Sequence, residues 1–233
     1  MSIAEQLDAV RERVQAAVSR RSADVAMHSP VELIAVSKRH PLEAIYEAHD
    51  AGQRHFAENY AQEFRDKVRD CDARELHWHF IGHLQRNKVK YVLGQALLHT
   101  VDSLELLTAL DERALREFEG DARIPILIEV NNGETQKSGT PPDALPGLLD
   151  AVSQSQRLRC EGLMIMAPFG PAEEARPHFR ALRELRDQLM LSPRAHVELR
   201  ELSMGMSSDF EVAIEEGATL VRVGSAIFGA RPG

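Results

Sequence analysis

The sequence predicts an α/β fold, a single (β/α)8 TIM barrel with an additional helix at its amino terminus. Three observations point there. Eight short apolar runs rich in β-formers recur along the 233 residues, and each is followed by a helix-like stretch. The runs are apolar nearly throughout, as strands covered on both faces are. Polar residues gather where the runs end, which is the side on which such barrels carry their chemistry. A doubly wound open sheet is the alternative, but no GxGxxG follows the first strand and no change of composition divides the chain. Residues 1–233 are therefore expected to form one domain.

Taken in order, SIAEQLDAVRERVQAAVSRR spaces its apolar residues as an amphipathic helix, and residues 1–30 make this helix and its lead-in. LIAVSKRHP (33–41) is the first strand and loop, with Pro41 suited to the first turn of a helix through Ala51. RHFAENY (54–60) and LHWHFIG (76–82) are the second and third strands, backed by helices over 61–69 and over LQRNKVKYVL. LLHTVDS (97–103) is the fourth, its Asp102 and Ser103 capping the helix LELLTALDERALREF. IPILIEVNN (124–132) is the strongest strand signal, and Pro141 and Pro142 lead into a helix from Asp143 to Gln156. CEGLMIMA (160–167) precedes a long helix over 175–191. ELSMGMS (201–207) precedes one to Glu216, for which Ser208 and Glu211 have capping-box spacing. TLVRVGS (219–225) is the eighth strand.

Composition excludes several classes of function. Lys and Arg number 28 against 36 Asp and Glu, a net charge of −8, which disfavours generic attachment to nucleic acid or anionic membrane. No apolar run reaches the roughly 18 residues of a membrane-spanning helix. The two cysteines, Cys71 and Cys160, form neither a disulfide framework nor a metal spacing, which fits a reducing, cytoplasmic compartment.

The chemistry centres on Lys38. Strand alternation puts Ile34, Val36 and Lys38 on one face, so an interior Ile34 brings the amine to the barrel mouth. A lysine desolvated there becomes a nucleophile able to condense with an aldehyde, whereas a solvated lysine is only a surface charge. Asn59, His83, Asp102, Asn131, Ser207, Arg222, Gly224 and Ser225 fall at the same end. Barrels often bind phosphate between their seventh and eighth loops, and MGMSSD offers Ser207 while VGSAIFG offers Gly224 and Ser225. Each segment taken alone also reads as an ordinary helix cap or a close-packed turn. An amine beside a phosphate cradle suggests a phosphorylated aldehyde, and the cofactor with both features is pyridoxal 5′-phosphate.

AVSK (35–38), AENY (57–60), WHFIGHLQRNK (78–88), KSG (137–139), GLM (162–164), SMGMSSD (203–209) and VRVGSAIFGAR (221–231) resemble the pyridoxal phosphate homeostasis proteins, in order and over nearly the whole chain. The resemblance implies a barrel like the amino-terminal domain of alanine racemase, with the cofactor carried as a Schiff base on Lys38. It also implies phosphate contacts from Ser207, Gly224 and Ser225, and Arg222 facing the pyridine nitrogen. Ala57 and His83 depart from the family, which usually has FGENY and GPLQ. Asn59 lies within the matched AENY motif, and Met164, otherwise core filler at the mouth, is a candidate contact to the cofactor ring.

A guanidinium at the pyridine nitrogen disfavours its protonation and makes the ring a poorer carbanion sink. The leading expectation is therefore a monomeric carrier with little or no catalysis, acting in intracellular cofactor homeostasis and delivering pyridoxal phosphate to apoenzymes. A pyridoxal-phosphate-dependent amino-acid racemase is the alternative. Racemisation needs a second acid or base opposite the lysine, and by alternation Tyr60 points away from Asn59 towards the helices. A cofactor-free aldolase using Lys38 is a third reading. His77, His79 and His83 are expected as core or loop histidines rather than metal ligands, Arg86, Lys88 and Lys90 as a solvated face, and Lys137 as an exposed rival amine.

Overall fold

The computed structural model describes residues 1–23, 25, 30–73, 75–131, 133 and 138–229. Eight parallel strands close into a barrel in sequence order: β1 (Glu32–Val36), β2 (His55–Glu58), β3 (His77–Phe80), β4 (Leu97–Val101), β5 (Ile124–Glu129), β6 (Leu158–Met164), β7 (Val197–Ser203) and β8 (Leu220–Val223). Closure is made by β1 on β8, where Ile34 stands beside Arg222 and Ala35 beside Val223. The helices are α1 (Ile3–Ser19), α2 (Leu42–Asp50), α3 (Ala61–Asp70), α4 (Leu104–Glu117), α5 (Leu145–Gln154), α6 (Ala172–Met190), α7 (Phe210–Glu215) and α8 (Ser225–Phe228).

Local chemistry accounts for these elements. In α1, Ser2 and Glu5 satisfy each other's backbone N–H groups in a capping box, and Leu7, Val10, Val14 and Ala17 form the buried stripe that packs against α2, α7 and α8. Ser103 caps α4 by accepting from Leu106 N at 3.3 Å. Most of the apolar core lies between strands and helices, where Phe64 of α3 meets Trp78 and Phe80 edge-on. A smaller apolar group, Ile34, Val36, Ala57, Leu127, Met164 and Leu220, fills part of the barrel interior.

Three elements differ from the sequence reading. Behind β3 there is a 3-10 helix, Arg86–Tyr91, where LQRNKVKYVL predicted an α-helix. Val89 is its one buried residue, so there is no apolar stripe to hold a longer amphipathic helix. Its Lys88 and Lys90 instead stand over the Tyr91 ring, joined by Arg65. Strand β7 begins at Val197 and ends at Ser203, releasing Met204–Ser207 as the seventh loop. Lastly, α7 is not opened by Ser208 and Glu211. Asp209 occupies the cap position and accepts from Met206 N at 2.6 Å, while Glu211 turns outward to Arg13. Lys137 lies outside the described residues.

Because Asp209 ties down the loop that carries Ser207, Asp209→Ala should lower stability by about 1–3 kcal/mol, the cost of leaving the part-buried Met206 N–H without its carboxylate acceptor. Ser208→Ala should change it by less than about 0.5 kcal/mol. Urea denaturation of the two variants checks both values, and an equal loss would contradict the anchoring role of Asp209.

Candidate functional site

The carboxyl ends of the strands surround a cavity of about 440 Å³, and the residues singled out in the sequence meet there. Lys38 and Asn59 come from the first two loops, and Met164 from the end of β6. Ser207 comes from the seventh loop, with Arg222, Gly224 and Ser225 from β8 and the turn after it. Asp102 and Asn131 end their strands nearby but do not line the cavity. His83 stands at its rim with 65% of its side chain exposed, its Nδ1 4.0 Å from Asp102 Oδ2.

Alternation along β1 delivers Lys38. Ile34 and Val36 face the barrel interior, and Ser37, the residue between Val36 and Lys38, faces α3. The Ser37 hydroxyl donates to Glu58 Oε1 at 2.7 Å, and its carbonyl accepts from Lys67 Nζ at 2.8 Å. Lys67 also donates to Glu58 Oε1 at 2.7 Å and Glu63 Oε1 at 2.8 Å, so all three of its N–H groups serve to hold this loop. Burial pushes the Glu58 carboxyl up to about 7, against the pull of Lys67 and Ser37. Arg39 then turns the chain with φ 64°, its N–H donating to Glu63 Oε1 at 2.6 Å.

On the side of β1 away from β2 the seventh and eighth loops touch. The Ser207 hydroxyl oxygen accepts from Gly224 N at 3.3 Å. A Cβ on Gly224 would lie 3.2 Å from the Val36 carbonyl oxygen, so glycine is what lets the eighth loop lie against the end of β1. Gly82 is tighter still. A Cβ there would fall 1.8 Å from the Asn59 carbonyl oxygen, and the third loop can cross the second only without a side chain.

Arg222 supplies the charge. It is 4% exposed, donating from Nη1 to Ser203 Oγ at 2.6 Å and from Nη2 to the Ile165 carbonyl at 3.1 Å. Among the described residues no carboxylate comes within ion-pairing distance of it. Burial lowers its pKa to about 10, with Asp209 and Glu129 pulling the other way from further off. A buried guanidinium so placed favours an acceptor or anion in the cavity beside it.

Several residues of the site were not singled out in the sequence. Glu129, buried at the end of β5, accepts from Ser138 Oγ at 2.8 Å, and burial raises its pKa. Thr100 donates to the Gly82 carbonyl at 2.6 Å. Both sit at carboxyl ends of strands, the position that marked the others. Behind Arg222 a line of imidazoles crosses the barrel interior. His55 Nδ1 lies 3.0 Å from His79 Nε2, His79 Nδ1 lies 2.9 Å from His99 Nε2, and His99 Nδ1 lies 2.8 Å from Ser203 Oγ. His77, two residues before His79 on β3, stacks on His55 with ring centroids 4.6 Å apart. Among the described residues no group of three or more His, Cys, Asp or Glu could hold a metal ion. A second cavity, about 460 Å³, opens at the amino-terminal mouth beside Glu32, His55 and His77. It is as large as the first, but in this architecture that mouth carries stability rather than chemistry.

Residues 6–232 match the family model for the alanine racemase N-terminal domain. The pyridoxal phosphate homeostasis protein of Aquifex aeolicus is 42% identical over 233 residues, covering 99% of both chains. The chain belongs to the pyridoxal phosphate homeostasis protein family. Its human relative is 39% identical over 97% of this chain and 85% of that one. Among solved structures, PipY of Synechococcus elongatus, determined with pyridoxal phosphate bound, superposes with a TM-score of 0.82 at 37% identity, covering 98% of this chain and 100% of PipY. The family's barrel is thus the barrel expected from the sequence. Ala57, one of the departures, sits fully buried in the interior apolar group, and His83, the other, is accommodated by pointing outward. No helix among the described residues is long and apolar enough to cross a membrane.

The histidine line has a consequence for stability. Burial and neighbouring imidazoles hold His55 down to about 4 and His79 to about 3, and burial, His79 and Arg222 hold His99 well below 6.5. Below pH 6.5 the unfolded chain therefore binds protons that the folded one does not. The histidines' contribution is complete above 6.5 and is lost as the pH falls towards 4. Glu58 works oppositely, its contribution being lost as pH rises through 7, and Glu32, Glu129, Glu161 and Asp209, all raised by burial, act in the same sense, so the histidine contribution is read as a difference between the wild type and a histidine variant. Unfolding free energy should fall between pH 6.5 and 5 by up to about 1.4 kcal/mol per pH unit for each histidine kept neutral. Urea titrations of wild type and His79→Gln at several pH values check this, since the carboxyls act alike in both: the variant should lose less stability between pH 6.5 and 5, and an equal loss contradicts it.

Proposed function

We propose that this chain binds pyridoxal 5′-phosphate as a Schiff base on Lys38 and serves in its homeostasis, holding and releasing the cofactor with little or no turnover of amino acids. The observation that carries the reading is the convergence of Lys38, Ser207, Gly224 and the uncompensated Arg222 guanidinium on one cavity. An electrophilic carbon needs the amine, a phosphate needs the hydroxyl and backbone donors, and a ring nitrogen with a free lone pair suits a permanent cation. Asn59 and Met164, on the same cavity, would contact the ring. The PipY complex supports the cofactor's identity, since it is a full-length relative that holds pyridoxal phosphate.

The cofactor supplies reversible carbonyl chemistry, and the chain's own groups restrict any further reaction. Arg222, fully charged at neutral pH, opposes protonation of the ring nitrogen and so weakens the ring as an electron sink. None of the three tyrosines lines the cavity among the described residues. Tyr60 is 43% exposed, its hydroxyl accepting from Arg39 Nη2 at 3.2 Å. This favours a carrier over a racemase. The reading extends to a cytoplasmic monomer whose cofactor passes to apoenzymes; the net charge of −8 and a cavity lined by residues of one chain support it.

Borohydride reduction of protein loaded with pyridoxal phosphate should add one reduced phosphopyridoxyl group, located by peptide mapping at Lys38. Lys38→Ala should lose that adduct and the visible absorbance. Label confined to another lysine, or undiminished in the variant, contradicts the assignment. Steady interconversion of L- and D-alanine abolished by Lys38→Ala would establish the racemase instead.

A further inference from the structure

The line of hydrogen bonds behind Arg222 admits one satisfied direction. Arg222 carries only donors, so Ser203 Oγ must accept from Nη1. Ser203 Oγ has a single other partner among the described residues, His99 Nδ1. Were His99 to donate to it, the Ser203 hydrogen would be left buried without an acceptor beside a cation. The hydroxyl therefore donates to His99 Nδ1. His99 Nε2–H must then donate to His79 Nδ1, and His79 Nε2–H to His55 Nδ1. His55 Nε2–H is left facing Glu32 Oε2 at 3.7 Å, a carboxylate suited to receive it. The opposite direction fails at both ends, since it also sets an imidazole lone pair against that carboxylate.

We propose that Ser203 and His99 are positioning residues for Arg222: the line of neutral imidazoles, anchored at Glu32 by the far mouth of the barrel, fixes the Ser203 hydroxyl so that it presents an oxygen lone pair to the guanidinium. His99 does not line the cavity, and its hydrogen-bonded link to Arg222 runs through Ser203. The same geometry makes the grip sensitive to acid. A proton on His55 Nδ1 would oppose the His79 Nε2–H, and each bond up to Ser203 would have to reverse. The groups facing the line are His77 against His55, Glu32 at its foot, Arg222 at its head, and Glu129 and Asp209 beyond Arg222. Burial keeps all three imidazoles uncharged near neutrality, which agrees with the satisfied direction.

The positioning claim is tested in the cofactor-free protein by nitrogen-15 NMR. At pH 7.5 His55, His79 and His99 should all be neutral with the proton on Nε2, and the Arg222 Nη groups should give separate, slowly rotating signals. In His99→Leu and Ser203→Ala those Arg222 signals should merge, whereas His99→Gln, whose amide oxygen can accept from Ser203, should preserve them. An Nδ1-protonated His79 or His99, or Arg222 signals unchanged in both variants, overturns the proposal. If His99→Leu does not fold, Ser203→Ala and the wild-type tautomers decide it.

A second arm rests on the reading that Arg222 faces the cofactor's ring nitrogen. Wild-type protein should bind pyridoxal phosphate more tightly than its 1-deaza analogue, and Ser203→Ala should cut that preference at least fivefold while changing affinity for the analogue less than twofold. A wild-type chain that does not distinguish the two ligands removes the ring-nitrogen reading and leaves the NMR result to stand on its own. A preference that survives Ser203→Ala undiminished counts against positioning.

Discussion

A guanidinium buried without a carboxylate is the constraint on which this structure turns. Arg222 sits in the barrel interior, 4% exposed, held by a serine hydroxyl and a peptide carbonyl. A carboxylate in contact would neutralise it and remove its pull on an incoming acceptor. Neutral partners leave its charge available while accepting from two of its five N–H groups. The cost of keeping a cation there is reduced by arranging everything behind it as uncharged, mutually bonded imidazoles.

That arrangement divides the interior in two. One sector is apolar, built from Ile34, Val36, Ala57, Leu127, Met164 and Leu220; the other carries His55, His79, His99, Ser203 and Arg222 from one mouth towards the other. The apolar sector ends at Lys38 and the polar one at Arg222, so the two side chains arrive at the same cavity from different surroundings. Outside the barrel, Lys67 and Glu58 hold the first loop while Asp209 holds the seventh. The two halves of the site are therefore braced separately, and Gly224 lets them touch.

Much of this was legible in the sequence because it comes from alternation along single strands. Ile34, Val36 and Lys38 had to share a face, and VRVGS had to bring Arg222 and Gly224 to the mouth. What could not be read were contacts made across the barrel. His79 and His99 each stand in an apolar strand, where a histidine reads as core, and nothing in the spacing of strands β4 and β7 says that His99 meets Ser203 over the axis. The Ser208 cap failed for a related reason. Ser208 and Asp209 are adjacent in sequence, and only the path of the loop decides that Asp209 occupies the cap position and reaches Met206 N. The 3-10 helix after β3 was obscured by helix-favouring lysines and arginines that lack an apolar face to pack.

The most direct test is a crystal structure of the chain reconstituted with pyridoxal 5′-phosphate. The expected result is continuous density from Lys38 Nζ to the cofactor, its phosphate against Ser207, Gly224 and Ser225, and its ring nitrogen towards Arg222. Cofactor bound instead at the amino-terminal mouth beside His55 and His77, or with its ring nitrogen turned away from Arg222, would contradict the account.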